Sequence, residues 1–204
     1  MLLTIIVPVY NLEDLITRAL DSIPRRPDIE VLIIDDGSTD NTYKVCKKYA
    51  KDHSDLAVRI IRLKENKGLG NAKNVGYDNA KGDYINQLDA DDYLYTDAYE
   101  RAMEALSTGA DIVYQNMRIN SGDIWRVTES NKHMWCGGPW RFIRKEFLGD
   151  MRCPVIRAGE DWYLNEEMQA KPHTEYYTDI VGYHYNFPRE GSLCDLRNRG
   201  LLDG

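Results

Sequence analysis

Residues 82–100, GDYINQLDADDYLYTDAYE, decide how the chain is read. Tyr84 to Leu88 is strand-like with Leu88 pointing inward, and Asp89, Asp91 and Asp92 follow at once. Thr96 and Asp97 then open a helix. Like charges 4 Å apart repel by about 1 kcal/mol in water and about 4 kcal/mol at an effective dielectric of 20. A strand end that crowds carboxylates expects a cation, and donors that are all oxygen suit Mg²⁺ or Mn²⁺. Taken alone, the same turn also reads as a solvated acidic cap on the next helix. The sequence on either side separates the two readings.

Upstream, strand and helix patterns alternate. Leu3 to Val9 is a continuous apolar run, the mark of a strand covered on both faces. Asn11 is placed to cap a helix in which Leu12, Leu15, Ile16, Ala19, Leu20 and Ile23 share one stripe. Glu30 to Ile34 is a second strand, running into DDGSTDNT, where Asp40 or Ser38 caps a helix to about Lys51. Val58 to Leu63 and Tyr84 to Leu88 are the third and fourth strands. Leu69 to Ala80 is a helix between them, and Asp97 to Leu106 is the helix after. This order predicts an α/β fold: a mostly parallel central sheet flanked by helices, with a small C-terminal region. Ala110 to Ile119 and Ile124 to Thr128 continue as strands.

Parallel sheets bind ligands beyond the carboxyl ends of their strands. That edge collects Tyr10 and Asn11, Asp35 and Asp36, and Asp89 and Asp91. Asp35 and Asp36 offer acceptors for ribose hydroxyls or a base N–H, and Tyr10 offers a ring to stack on. In ENKGLGNAKN, Gly68 and Gly70 admit a ligand close to the backbone, and Lys73 brings a charge. No GK[ST] follows, so this is not a P-loop, and VYNLED lacks the glycines of a dinucleotide fingerprint.

Composition narrows the class. With 26 basic and 33 acidic residues the net charge is −7, which disfavours a nucleic-acid partner. No apolar run reaches the ~18–20 residues that span a bilayer. MLLTIIVPVYN has no basic n-region, so it reads as a strand rather than a signal peptide. Cys46, Cys136, Cys153 and Cys194 lack paired spacing and read as free thiols. The cytoplasm is the expected place, with peripheral contact at the inner membrane face compatible with it.

TIIVPVYN (4–11), VLIIDDGSTDNT (31–42) and NKGLGNAKNVGYDNAKGDYINQLDADD (66–92), in series, resemble the family 2 glycosyltransferases of the GT-A fold. The resemblance implies an inverting, metal-dependent transfer of one sugar from a nucleotide diphosphate donor, expected to be a UDP-sugar, to a glycan or lipid-linked acceptor. By position it implies that Pro8, Tyr10, Glu13 and Asp36 hold the nucleoside. Lys73 stands near the base and phosphates, where the family usually has arginine. Asp89 falls near the ribose and metal, and Asp91 on the metal. CGGPWRFIRKEFLGD (136–150) resembles the segment with a helix below the acceptor cleft, where Trp140 would stack on a sugar. AGEDWYLNEEM (158–168) matches the E-D motif, with Asp161 as general base and Glu160 orienting it or touching the acceptor. YTDIVGYHYNFPREGS (177–192) offers His184 as a third metal ligand, and Arg189 and Ser192 to close over the diphosphate. Residues 1–107 would form the nucleotide-sugar half and 108–204 the acceptor half of one domain. The absence of a Q-x-x-R-W motif fits a non-processive enzyme.

Three other classes fit less well. A sugar-1-phosphate nucleotidyltransferase would want a glycine- and arginine-rich loop after strand one, where VPVYN stands. An aspartyl phosphatase would carry its acidic motif after strand one rather than strand four. A non-catalytic sugar-nucleotide or glycan-binding relative would keep Asp36 and lose the Glu160–Asp161 pair.

Overall fold

β1 (Leu3–Val9) and β2 (Ile29–Asp35) are buried at every position, as apolar runs covered on both faces should be. They come from a computed structural model that describes residues 1–134, 137–156, 159–192, 195–196 and 199–200. The two strands pair in parallel from Leu3 opposite Ile29 to Val9 opposite Asp35. β3 (Ala57–Arg62) adds parallel to β2, and β4 (Tyr84–Gln87) adds parallel to the other side of β1. The connecting helices are α1 (Ile16–Asp21), α2 (Thr42–Asp52) and α3 (Leu69–Asn79). The carboxyl ends of β1, β2 and β4 therefore open on one edge.

One expectation falls short here. The stripe from Leu12 to Ile23 is helical only over Ile16–Asp21. Asn11 takes a left-handed backbone, φ 50°. The N–H groups of Asn11, Leu12 and Glu13 go to the side chains of Ser38, Thr42 and Asp40, in the loop after β2 and the start of α2. Asn11 does not cap α1, because its Oδ1 accepts the Thr39 N–H at 2.8 Å. Bonding between the loops overrides the helical period.

The second half is built on β6 (Ile112–Ile119), which follows β5 (Tyr93–Leu94) and α4 (Thr96–Glu104). β7 (Ile124–Trp125) and β8 (Arg141–Arg144) run antiparallel to β6, and β9 (Glu175–Tyr185) runs parallel. β8 also lies antiparallel to β4 and so joins the halves in the order β3-β2-β1-β4-β8-β6-β9-β5. The parallel ladders are the long ones; the antiparallel ladders span two or three residue pairs. The helix expected after Trp140 is mostly replaced by β8, leaving α5 (Lys145–Leu148). Phe142 and Ile143 explain the change, since both are buried and a strand buries consecutive side chains on opposite faces. α6 (Glu160–Gln169) packs against α3. Among the described residues no helix is long and apolar enough to cross a membrane. Cys46 and Cys153 are free and buried, while Cys136 and Cys194 lie outside the described residues.

Candidate active site

The loops after β1, β2 and β3 are tied together through carboxylates. Asp35 is wholly buried; its Oδ1 accepts the Ser38 N–H at 3.0 Å, and Arg62 Nε lies 3.1 Å from its Oδ2. Asp36 accepts the N–H groups of Lys67 and Gly68 at 3.0 and 2.9 Å. Burial pushes its carboxyl above the ordinary range, against the pull of those two amides. Glu13 accepts the Asn41 N–H at 2.8 Å. Pro8 is buried in β1, whereas Tyr10 leaves it 41% exposed, an aromatic ring at the rim.

At the end of β4 the three aspartates separate into different roles. Asp92 is wholly buried: Tyr183 donates its hydroxyl to one oxygen at 2.6 Å, and the Asn186 N–H reaches the other at 2.8 Å. Burial, with Asp89 and Asp91 adding repulsion, holds its carboxyl well above the usual range. Asp92 thus anchors β9 to this loop. The Tyr183 hydroxyl also accepts the Asp89 N–H at 3.1 Å. Burial pushes Asp89 up to about 7, with Lys73 pulling against it and Asp91 adding to it. Asp91 meets two arginines: Arg189 Nε donates to its Oδ2 at 2.7 Å, and Arg18 Nη2 donates to its backbone carbonyl. Arg18 comes from α1 and lies over the Tyr93 ring, 5.2 Å from its centroid. Nothing in the local sequence marks Arg18 or Tyr183; long-range packing brings them here.

The second acidic group opens α6. Gly159 caps it with φ 88°, a left-handed turn natural to glycine. Lys73, 1% exposed, donates to Glu160 Oε1 at 2.8 Å and to Asp161 Oδ2 at 2.7 Å. Burial would lower the Lys73 pKa, but Asp161, Glu160 and Asp89 together hold it well above the ordinary value. Lys73, expected near the base and phosphates, is in the structure held by this carboxylate pair. Asp161 Oδ1 is buried with no hydrogen-bond partner. One turn along α6, Asn165 accepts from the wholly buried Arg141 at 2.7 Å. Gly70, expected to admit a ligand, instead admits the loop before α6: a Cβ there would meet the Pro154 carbonyl oxygen at 2.7 Å.

Two expected site residues are packed against protein partners. Trp140 is only 6% exposed and stacks on Trp125, which leaves no open face for a sugar. His184 stacks on Tyr93, ring centroids 4.2 Å apart. Its Nδ1 pairs with the Tyr95 hydroxyl at 2.8 Å and its Nε2 with Asn120 Oδ1 at 2.9 Å. An amide oxygen can only accept, so Nε2 carries the proton and the Nδ1 lone pair takes the tyrosine hydroxyl. Both ring nitrogens are thus taken by protein partners. Burial, with Arg18 and Arg118, holds the His184 pKa below its ordinary value. Ser192 donates its N–H to the Arg189 carbonyl at 3.2 Å, and its hydroxyl oxygen accepts the Asp195 N–H at 3.1 Å. Among the described residues no three His, Cys, Asp or Glu side chains form a ready-made metal cage.

The family described as "Glycosyl transferase family 2" matches residues 4–159. A poly(ribitol-phosphate) beta-glucosyltransferase of Bacillus spizizenii is 37% identical over 210 residues, covering 94% of this chain and 33% of that protein. The structure superposes on S. aureus TarS solved in complex with UDP-GlcNAc, with TM-score 0.81 and 25% identity, covering 94% of this chain and 60% of the other. It also resembles the mannosyltransferase PcManGT of Pyrobaculum calidifontis solved with GDP-Man and Mn²⁺, with TM-score 0.74 and 21% identity, covering 93% and 58%. The chain spans about a third of the length of the curated relatives it matches along most of its own.

Proposed function

Because this chain belongs to glycosyl transferase family 2, we propose that it moves a sugar with inversion from a UDP-sugar to a hydroxyl of a glycan or lipid-linked acceptor. The observation that carries this reading is Asp161, with one oxygen clamped by Lys73 and the other unpartnered. A general base needs one free oxygen held in a fixed direction. The acceptor hydroxyl attacks the anomeric carbon and gives its proton to the Asp161 carboxylate. The bond from that carbon to the diphosphate oxygen breaks, and its electron pair leaves with UDP. Glu160 shares the lysine clamp, and so orients Asp161 or touches the acceptor.

On the donor side, Tyr10 supplies a ring for the base, while Pro8, Glu13 and Asp36 shape the nucleoside pocket. Residues 1–107 bring these donor groups, and 108–204 bring the acceptor side. A divalent ion fits the residues at the end of β4. The donors are oxygens, and burial leaves Asp89 short of positive charge, its carboxyl pushed up to about 7. Asp91 and Asp89 would hold Mn²⁺ or Mg²⁺, which supplies Lewis-acid stabilisation of the leaving diphosphate. TarS with UDP-GlcNAc and PcManGT with GDP-Man and Mn²⁺ support this chemistry for the fold.

A panel of nucleotide sugars tests the reading, with nucleoside diphosphate release as the signal. UDP release from one or more UDP-sugars, requiring Mn²⁺ or Mg²⁺, is expected. Equal UDP affinity by calorimetry with and without the metal would overturn the metal assignment. Release from no nucleotide sugar would overturn the transferase reading for this chain.

A further inference from the structure

Arg141, the first residue of β8, is the largest side chain that the fold buries completely. A guanidinium taken out of water is costly unless a carboxylate or several hydrogen bonds receive it. Its Nη1 donates to Asn165 Oδ1 at 2.7 Å, while Nε and Nη2 are buried without a hydrogen-bond partner. Among the described residues no carboxylate accepts from it. Packing alone does not explain a charge kept dry on one neutral hydrogen bond, because an apolar side chain of similar volume would fill the space without that cost.

The charge that Arg141 answers lies one helical turn away. Asn165 follows Asp161 by four residues on α6, so the two side chains are neighbours on one face, with Cβ atoms about 5–6 Å apart. Their unused atoms are complementary: Asp161 Oδ1 is a buried acceptor without a donor, and Asn165 Nδ2 a buried donor without an acceptor. With its oxygen on Arg141, Asn165 has its N–H end left, and that end suits a carboxylate. A carboxylate oxygen has two lone-pair positions, so an N–H on one leaves the other for the acceptor proton. Two further buried groups feel Arg141 and Asp161 together. Burial pushes the Cys153 thiol up to about 12 and raises the Tyr77 hydroxyl; at both, Lys73 and Arg141 oppose the rise and Asp161 adds to it. Glu160 and Asp161 share the single ammonium of Lys73, which leaves one negative charge over, and the guanidinium matches it.

We infer that Arg141 is a positioning residue for Asp161: acting through Asn165, it is the second counter-ion of the Glu160–Asp161 pair and fixes the direction of the Asp161 carboxylate. The positioning role rests on the transferase reading above; the counter-ion role does not.

Urea unfolding tests the counter-ion without any turnover. Arg141→Met and Asp161→Asn remove opposite charges, so the double variant should be more stable than the sum of the two single changes. Additive changes overturn the counter-ion. UDP release from UDP-glucose or UDP-GlcNAc tests the positioning. Arg141→Met and Asn165→Leu, each folded, should lower kcat by about tenfold or more and leave the donor KM within about twofold of wild type. A side chain that only packs would leave the kcat of the folded protein alone. Arg141→Lys should stay within about threefold of wild type, since an ammonium supplies both the charge and the one hydrogen bond. The positioning role is overturned if Arg141→Met and Asn165→Leu keep kcat within about twofold, or if Arg141→Lys is as slow as Arg141→Met. Should Arg141→Met fail to fold, Asn165→Leu replaces it in both measurements, read by the same outcomes. A wild type that hydrolyses neither donor strikes the transferase reading, while the unfolding cycle still decides the counter-ion.

Discussion

Two carboxylate groups meet at this edge and are neutralised in opposite ways. Glu160 and Asp161 share one buried ammonium, Lys73, at 2.8 and 2.7 Å. Asp89, Asp91 and Asp92 have no buried cation of their own. Asp91 is met from the side by Arg189, and burial, with repulsion from neighbouring carboxylates, pushes Asp89 and Asp92 upward. The contrast teaches what each group is prepared for. A carboxylate fixed in direction can meet an acceptor hydroxyl at one place, whereas a cluster of oxygen donors with no buried cation of its own is suited to receive one.

The largest expected effect breaks the balanced group. Lys73→Met leaves Glu160 and Asp161 without their buried partner, and losing one partner of a buried ion pair costs about 3–5 kcal/mol. Urea unfolding should show that loss as a lower midpoint with an unchanged slope. A loss under about 1 kcal/mol would place the pair with ordinary surface ion pairs.

A smaller effect sharpens the unbalanced group. The Asp89 carboxyl lies at about 7 in the folded protein, against about 4 when unfolded. Between those values the folded state holds a proton that the unfolded state has released. The stability this contributes is full below about pH 4 and is lost as the pH rises through 7. In metal-free protein, Asp89→Asn should therefore gain on wild type as the pH rises from about 4 to 7, by up to about 1.4 kcal/mol per unit. Mn²⁺ should restore the wild type at pH 7 and leave the variant unmoved. A stability difference independent of pH would contradict the charge shortage.

The smallest effect concerns Arg189, which occupies Asp91 Oδ2 at 2.7 Å while both side chains are partly exposed. Such a pair is worth at most about 1 kcal/mol. Arg189→Ala should tighten Mn²⁺ binding without nucleotide by up to about fivefold, read by calorimetry. Weaker binding would show that Arg189 holds Asp91 in place for the ion rather than competing with it.

The sequence exposed these two groups unequally. β1 to β4 and their carboxyl ends were legible because unbroken apolar runs and short loops fix a parallel sheet locally. The E-D motif was legible as a motif, but its partner was not: Lys73 lies on α3, and only the packing of α3 against α6 brings it to Asp161. For Trp140 and His184 the sequence showed ligand-like residue types, but not that Trp140 stacks on Trp125 or that His184 pairs with Tyr95 and Asn120. β8 was hidden because RFIR reads as strand only once β4 and β6 stand on either side of it.

The central claim is that Asp161 takes the acceptor proton while donor binding belongs to the loops after β1, β2 and β4. Asp161→Asn keeps the shape of the side chain and can still accept from Lys73, but cannot take a proton. With a UDP-sugar and acceptor that the wild type turns over, the variant should bind UDP and Mn²⁺ within about threefold of wild type, roughly 0.7 kcal/mol. Its transfer rate should fall by about 10²–10⁴. Normal transfer would contradict the account, and so would joint loss of folding and donor binding, which would make Asp161 a structural partner of Lys73 alone.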